Sequence, residues 1–153
     1  MNPGDTIPDA RVTDANGAPL RLRLLAFPAV IWFYPRDDTS GCTREAQDFS
    51  ALAPDFAAAG VSLLGISRDD VASHARFVAT HARVPSLASD GDGSACEAFG
   101  VWVEKSLYGR RFMGIERATF LFDRDGTLAR AWRRVRVAGH AEAVLAAART
   151  LIG

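Results

Sequence analysis

Six consecutive apolar residues, Ala29 to Tyr34 (AVIWFY), stop at Pro35, and a helical pattern begins a few residues later. A run of β-branched and aromatic residues this short, closed by a proline, reads as a strand buried on both faces. Downstream, Ala46, Phe49, Leu52, Ala53, Phe56 and Ala57 recur at the spacing of one helix face, and Gly60 follows as a stop signal. The spacing predicts a helix from about Cys42 to Ala59. Val61 to Ile66 (VSLLGI) then reads as a second buried strand. Strand, helix, strand in this order implies a parallel pair joined by a crossover, and the rest of the fold must be built around that unit.

The flanking segments supply the remaining layers. Arg11 to Leu24 carries a turn signal at Asn16-Gly17 between two strand-like pieces and reads as an N-terminal hairpin covering a sheet edge. Ser67-x-x-Asp70 predicts a capping box for a helix to about His81, and Pro85 to Ala88 a short extended piece. Asp90-Gly91-Asp92-Gly93 lacks the length and terminal Glu of a calcium loop and reads as a capped turn into a short helix with Cys96 and Phe99. Ala118 to Phe122 and Leu128 to Val137, on either side of the turn Asp123 to Thr127, predict an antiparallel hairpin. Val144, Leu145, Ala148, Leu151 and Ile152 form the apolar face of a closing helix. Parallel strands followed by antiparallel ones, with helices for both faces, predict a mixed-sheet α/β fold. With no repeats or long linkers, residues 1–153 read as a single domain.

Composition narrows the function. A chain of 153 residues that is 48% hydrophobic and 24% charged can bury a sizeable core. Its formal net charge is zero, so no global field draws it to nucleic acid or to a membrane. No apolar run approaches a bilayer span, and the start MNPGDTIPDA lacks the basic and apolar parts of a signal peptide, which points to the cytoplasm. His74, His81 and His140 show no metal-ligand spacing. Arg130, Arg134 and Arg136 fall on one strand face with Trp132 and read as charges on a solvated face. Two widely separated cysteines do not make a secreted disulfide framework, whereas one reactive cysteine suits an intracellular enzyme.

Cys42 is the candidate for that role. With Thr39 or Ser40 as N-cap, its sulfur lies in the first helical turn, where unpaired N–H groups and the helix dipole favour an anion. Thiolate is the nucleophilic form of cysteine, and helix termini or nearby cations lower a thiol's pKa from ~8.5 to roughly 3.5–7.5. A first-turn cysteine can equally be a small buried hydrophobe.

The surrounding motif is more specific. Pro35-x-x-x-Thr39-x-x-Cys42 resembles the signature loop of peroxiredoxins, and YPRDDTSGCTREA (Tyr34 to Ala46) is similar to its form in the bacterioferritin comigratory protein subfamily. GIERATFLFD (Gly114 to Asp123) and WRRVRVAGHAEAVL (Trp132 to Leu145) extend the resemblance along the chain. The resemblance implies a thioredoxin-like fold with an N-terminal addition, and a monomeric thiol-dependent peroxidase acting on hydrogen peroxide and small organic hydroperoxides. It implies no metal, haem or flavin.

On this basis Cys42 attacks one peroxide oxygen while the other leaves, giving a sulfenic acid. Thr39 offers a hydroxyl to the peroxide or sulfur, Pro35 shields the pocket, and Arg117 is the cation brought against the cysteine. By itself Arg117 would read as a solvated surface arginine. Glu45 either orients an arginine or complements the helix dipole. The resolving cysteine usual in the subfamily is missing: its two places hold Gln47 and, approximately, Phe77 or Val78. Cys96 matches only an optional later cysteine and reads better as a buried hydrophobe. The implied reductant is therefore an external thiol, whether thioredoxin, a glutaredoxin or a small thiol. Two alternatives stand beside this reading. One is a peroxide-sensing module without efficient turnover; the other is a Cys-His hydrolase, although no histidine stands in a context that suggests an imidazole beside the thiol.

Overall fold

The computed structural model describes residues 1–80 and 86–152. Its central strand is β3 (Ala29–Phe33), in which every residue is buried. Around it the strands β1 (Arg11–Thr13), β2 (Pro19–Arg21), β4 (Ser62–Ser67), β5 (Leu87–Ser89), β8 (Ala118–Phe122) and β9 (Leu128–Trp132) form a seven-stranded sheet in the order β2-β1-β5-β4-β3-β8-β9. β3 runs parallel to β4 and β4 to β5, while β8 lies antiparallel to β3. The β3–β4 pair is joined through α1 (Ser40–Ala58), the crossover that the apolar pattern predicted. The N-terminal hairpin extends the edge at β5, where Thr13 pairs with Ser89.

Period-two alternation divides the core between the two faces of the sheet. Val30 and Trp32 of β3 point to one face, with Phe49 and Phe56 of α1, Phe77 of α2 (Val71–Thr80), and Val144 and Ala148 of α4 (His140–Ile152). Ile31 and Phe33 point to the other, with Cys96 of the short α3 (Ser94–Ala98), Phe99, Phe120 and Phe122. α1 ends as its glycine predicted: Gly60 has φ +75°, and the Val61 amide donates to the Phe56 carbonyl at 2.9 Å.

Several expectations need correction. The capping box does not form, because Ser67 ends β4 and its hydroxyl donates to Asp69 at 2.6 Å; Asp70 caps α2 instead by accepting from the Ser73 amide at 2.7 Å. β9 ends at Trp132, so Arg134 and Arg136 leave the strand face, and only Arg130 stacks on Trp132, at 4.6 Å. Leu151 is exposed rather than part of the inner face of α4. β5 begins at Leu87, later than the extended piece expected from Pro85. The expected helix end at His81 and Pro85 itself lie outside the described residues. An antiparallel ribbon of β6 (Trp102–Leu107) and β7 (Arg110–Ile115), which the sequence reading did not anticipate, stands apart from the main sheet. Among the described residues no helix is long and apolar enough to cross a membrane.

Candidate active site

Where β3 ends, the chain passes through Tyr34 to Thr39 and enters α1, which sets Cys42 in the helix's first turn. The side chain is 2% exposed and packs with Tyr34, Ala46 and Phe49 on the α1 face of the sheet. Thr39 occupies the N-cap, its carbonyl accepting from the Thr43 amide at 2.9 Å. Its hydroxyl neither caps the helix nor bonds the sulfur; it donates to the Arg36 carbonyl at 3.0 Å.

Arg117 enters from the turn between β7 and β8. Its Nη2 donates to Cys42 Sγ at 3.2 Å, and its Nη1 donates to Glu45 Oε1 at 2.7 Å. One planar guanidinium thus spans a thiol and a carboxylate that stand one helical turn apart, a geometry an ammonium cannot copy. Gly41 leaves room for the approach: a Cβ there would lie 3.2 Å from Arg117 Nη2, a tight contact that would push the guanidinium by a few tenths of an ångström. Glu45 is 1% exposed, and among the described residues its Oε2 has no hydrogen-bond partner. Burial pushes the Glu45 carboxyl up to about 7 although Arg117 pulls the other way. Burial also opposes the charge of Arg117, but Glu45 and Cys42 outweigh it and hold its pKa above the ordinary arginine value.

The β6–β7 ribbon closes one side of this region. A cavity of about 410 Å³ beside Pro35 is lined by Arg36, Trp102, Lys105, Phe112 and Met113 among others. Lys105 feels both Arg117 and Cys42, and burial with the Arg117 charge lowers its pKa. Phe112 and Met113 are about half exposed, so the wall is apolar and open to solvent.

The structure brings together Cys42, Arg117 and Glu45, with Pro35 at the neighbouring cavity. It does not bring Cys96 to them. Cys96 belongs to the core on the opposite face, is fully buried, and has its thiol pKa raised by burial and by the Asp90 carboxylate. Neither described ring nitrogen set serves Cys42: His74 faces Asp37 and the Ala88 carbonyl, and His140 Nε2 lies 2.7 Å from the Thr119 hydroxyl. Gln47 and Val78 are on the exposed surface and Phe77 is buried. Sequence reasoning missed Gly41, Asp37 and the cavity. The only available signal was their position in or near the loop, since the contacts that give them meaning come from distant segments.

The sequence profile of the AhpC/TSA family matches residues 3–131. The chain is 54% identical over 118 residues to peroxiredoxin Bcp of Xanthomonas campestris, covering 77% of this chain and 74% of that protein. It is 41% identical over 111 residues to peroxiredoxin Bcp of Bacillus subtilis, covering 72% and 71% respectively. The solved structure of the X. campestris bacterioferritin comigratory protein, whose alkyl peroxide reduction activity is addressed by trapped intermediate and ligand complexes, superposes with a TM-score of 0.90 at 43% identity. It covers 99% of this chain and 100% of that one.

Proposed function

The chain belongs to the AhpC/TSA family and is a peroxidase of the Bcp peroxiredoxin type with a thioredoxin-like fold, and on that premise we propose that Cys42 reduces hydrogen peroxide and small organic hydroperoxides through a sulfenic acid. The observation that carries this reading is the guanidinium of Arg117, 3.2 Å from Cys42 Sγ and held from behind by a buried carboxylate at 2.7 Å. The thiolate attacks the terminal oxygen of ROOH; the S–O bond forms, the O–O bond breaks, and RO⁻ leaves to take a proton. Cysteine is oxidised and the peroxide is reduced. Negative charge moves from sulfur to the departing oxygen, and a fixed guanidinium can donate toward both ends of that path. Pro35 lines the cavity on this side, and the Thr39 hydroxyl would turn from the Arg36 carbonyl to offer a hydrogen bond to the peroxide.

The cavity beside Pro35 suits the organic part of a hydroperoxide, because Trp102, Phe112 and Met113 supply apolar surface. An external thiol then condenses with the sulfenic acid, releasing water and leaving a mixed disulfide, and a second thiol restores Cys42. On this reading the enzyme works in the cytoplasm as a monomer, where reduced thiols are abundant.

The test is peroxide consumption under a thiol reductant. Cys42→Ser should abolish it while leaving the melting transition in place, because a serine hydroxyl of nearly the same shape is not ionised at neutral pH. Arg117→Ala should slow both peroxide consumption and iodoacetamide alkylation of Cys42, since the cation that favours the thiolate is lost. Residual turnover near the wild-type rate in Cys42→Ser would end the reading.

A further inference from the structure

Between Arg36 and Ser40 the loop that leads to Cys42 buries a single side chain, and it is the acidic Asp37. Both carboxylate oxygens and the backbone amide have partners. Asp37 Oδ1 accepts from the Tyr34 hydroxyl at 2.7 Å, and Oδ2 accepts from the Ser73 hydroxyl at 2.8 Å and faces His74 Nδ1 at 2.7 Å. The Asp37 amide donates to Asp69 Oδ2 at 2.8 Å, and Asp69 is held in turn by the Ser67 hydroxyl at 2.6 Å. Burial would raise the pKa of this carboxyl, but the hydrogen bonds from His74, Tyr34 and Ser73 hold it below the ordinary range.

His74 is the hub of the cluster. It is 2% exposed, and its Nε2 lies 3.0 Å from the Ala88 carbonyl of β5. Nδ1 faces Asp37 Oδ2 at 2.7 Å and the Tyr34 hydroxyl at 3.3 Å, so the ring is held at both of its nitrogens. Through one ring, the loop before Cys42, the first turn of α2 and strand β5 are joined. α1 begins only three residues after Asp37, so where Asp37 sits decides where Thr39, the Arg36 carbonyl and the first turn of α1 sit.

We propose that His74 is a positioning residue for the peroxidase reaction: it clamps Asp37 to α2 and so holds the Pro35–Cys42 loop in the shape that receives the peroxide. The inference rests on the peroxidase reading of Cys42 and adds to it a residue that does not touch the sulfur. Nothing in the motif around Cys42 calls for a histidine some thirty residues later; only the packing of α2 against the loop does. Attack on a peroxide needs the reacting atoms and their hydrogen-bond donors aligned, whereas alkylation of Cys42, 2% exposed, by a small haloacetamide needs only that the loop open to the reagent. Loosening the clamp should therefore separate the two reactions.

The experiment compares His74→Asn with His74→Gln. The Asn amide nitrogen overlies Nδ1 and keeps the donor to Asp37; the Gln amide nitrogen overlies Nε2 and keeps only the link to Ala88. His74→Gln should lower the second-order rate with hydrogen peroxide on the order of 10- to 100-fold, leave iodoacetamide alkylation of Cys42 undiminished or faster, and speed amide hydrogen exchange in residues 37–43. His74→Asn should stay close to wild type in all three. Equal peroxide rates and equal exchange in the two variants overturn the proposal, as does a parallel fall of peroxide and iodoacetamide reactivity in His74→Gln. If both variants fail to fold, Ser73→Ala takes their place: it removes one donor to Asp37 from the surface of α2, and an unchanged peroxide rate there overturns the clamp. A wild-type protein that consumes no peroxide would instead sink the peroxidase reading, and the exchange comparison would still decide the clamp.

Discussion

Near the Cys42 sulfur sits a carboxylate, Glu45, that is buried, bound on one oxygen by Arg117 and, among the described residues, without a hydrogen-bond partner on the other. Burial raises its pKa from the ordinary 4.5 to about 7. Between those values the folded chain holds a proton that the unfolded chain has released, so stability falls as pH rises through that window. We expect the wild-type melting temperature to drop more than that of Glu45→Gln between about pH 5 and about pH 8, since the amide cannot titrate. Thermal melts at the two pH values check this, and parallel shifts in both proteins would contradict it. The spacing of Cys42 and Glu45, one turn apart on a helix, was legible in the sequence. Arg117 was not selectable by any local rule, because 75 residues separate it from the sulfur it meets. It could be named beforehand only through the resemblance of GIERATF to a known segment.

At the scale of elements, the platform under α1 depends on close packing between β3 and β4. Gly65 lies beside Trp32 in the parallel pair, and a Cβ at that position would come within 2.5 Å of the indole and 2.8 Å of Leu87. Trp32 is stacked on Phe49 at 4.6 Å and has no room to yield. Gly65→Ala should therefore destabilise by roughly 1–3 kcal/mol, the usual cost of overpacking. At about 2–4 °C per kcal/mol for a chain of this size, calorimetry should register the drop, and an unchanged midpoint would count against it. The buried strands of this region were legible because both their faces are apolar. The β6–β7 ribbon was not: most of its residues are exposed, which removes the alternation, and its turn is Tyr108-Gly109 at φ 51° and 77° rather than a familiar Asn-Gly pair. β9 was read too long for a related reason, since the chain turns away at Arg133, whose side chain bonds Glu116 at 2.6 Å and the Gly100 carbonyl at 2.7 Å.

Across the whole molecule the sheet separates the two thiols. Cys42 packs with Trp32 and Tyr34 on one face, Cys96 with Ile31 and Phe33 on the other. A disulfide requires Cα atoms within roughly 7 Å, so joining them would mean dismantling α1 or α3. Burial together with Asp90 also holds Cys96 in its protonated, less nucleophilic form. One equivalent of peroxide without external thiol should accordingly add one oxygen to the protein mass, and Cys96→Ser should keep turnover with a small thiol. Loss of two hydrogens with a Cys42–Cys96 link in peptide mapping would show the opposite. The chain's own pattern of apolar residues determined the β3-α1-β4 unit, the N-terminal hairpin and the first-turn position of Cys42, because each follows from contacts between near neighbours or from a period that burial imposes. Tertiary structure alone decided that Arg117 reaches the sulfur over Gly41, that His74 grips Asp37, and that Cys96 faces away. These depend on which residues of distant segments share one face of the sheet, and side-chain direction at long range is set only when the strands pair.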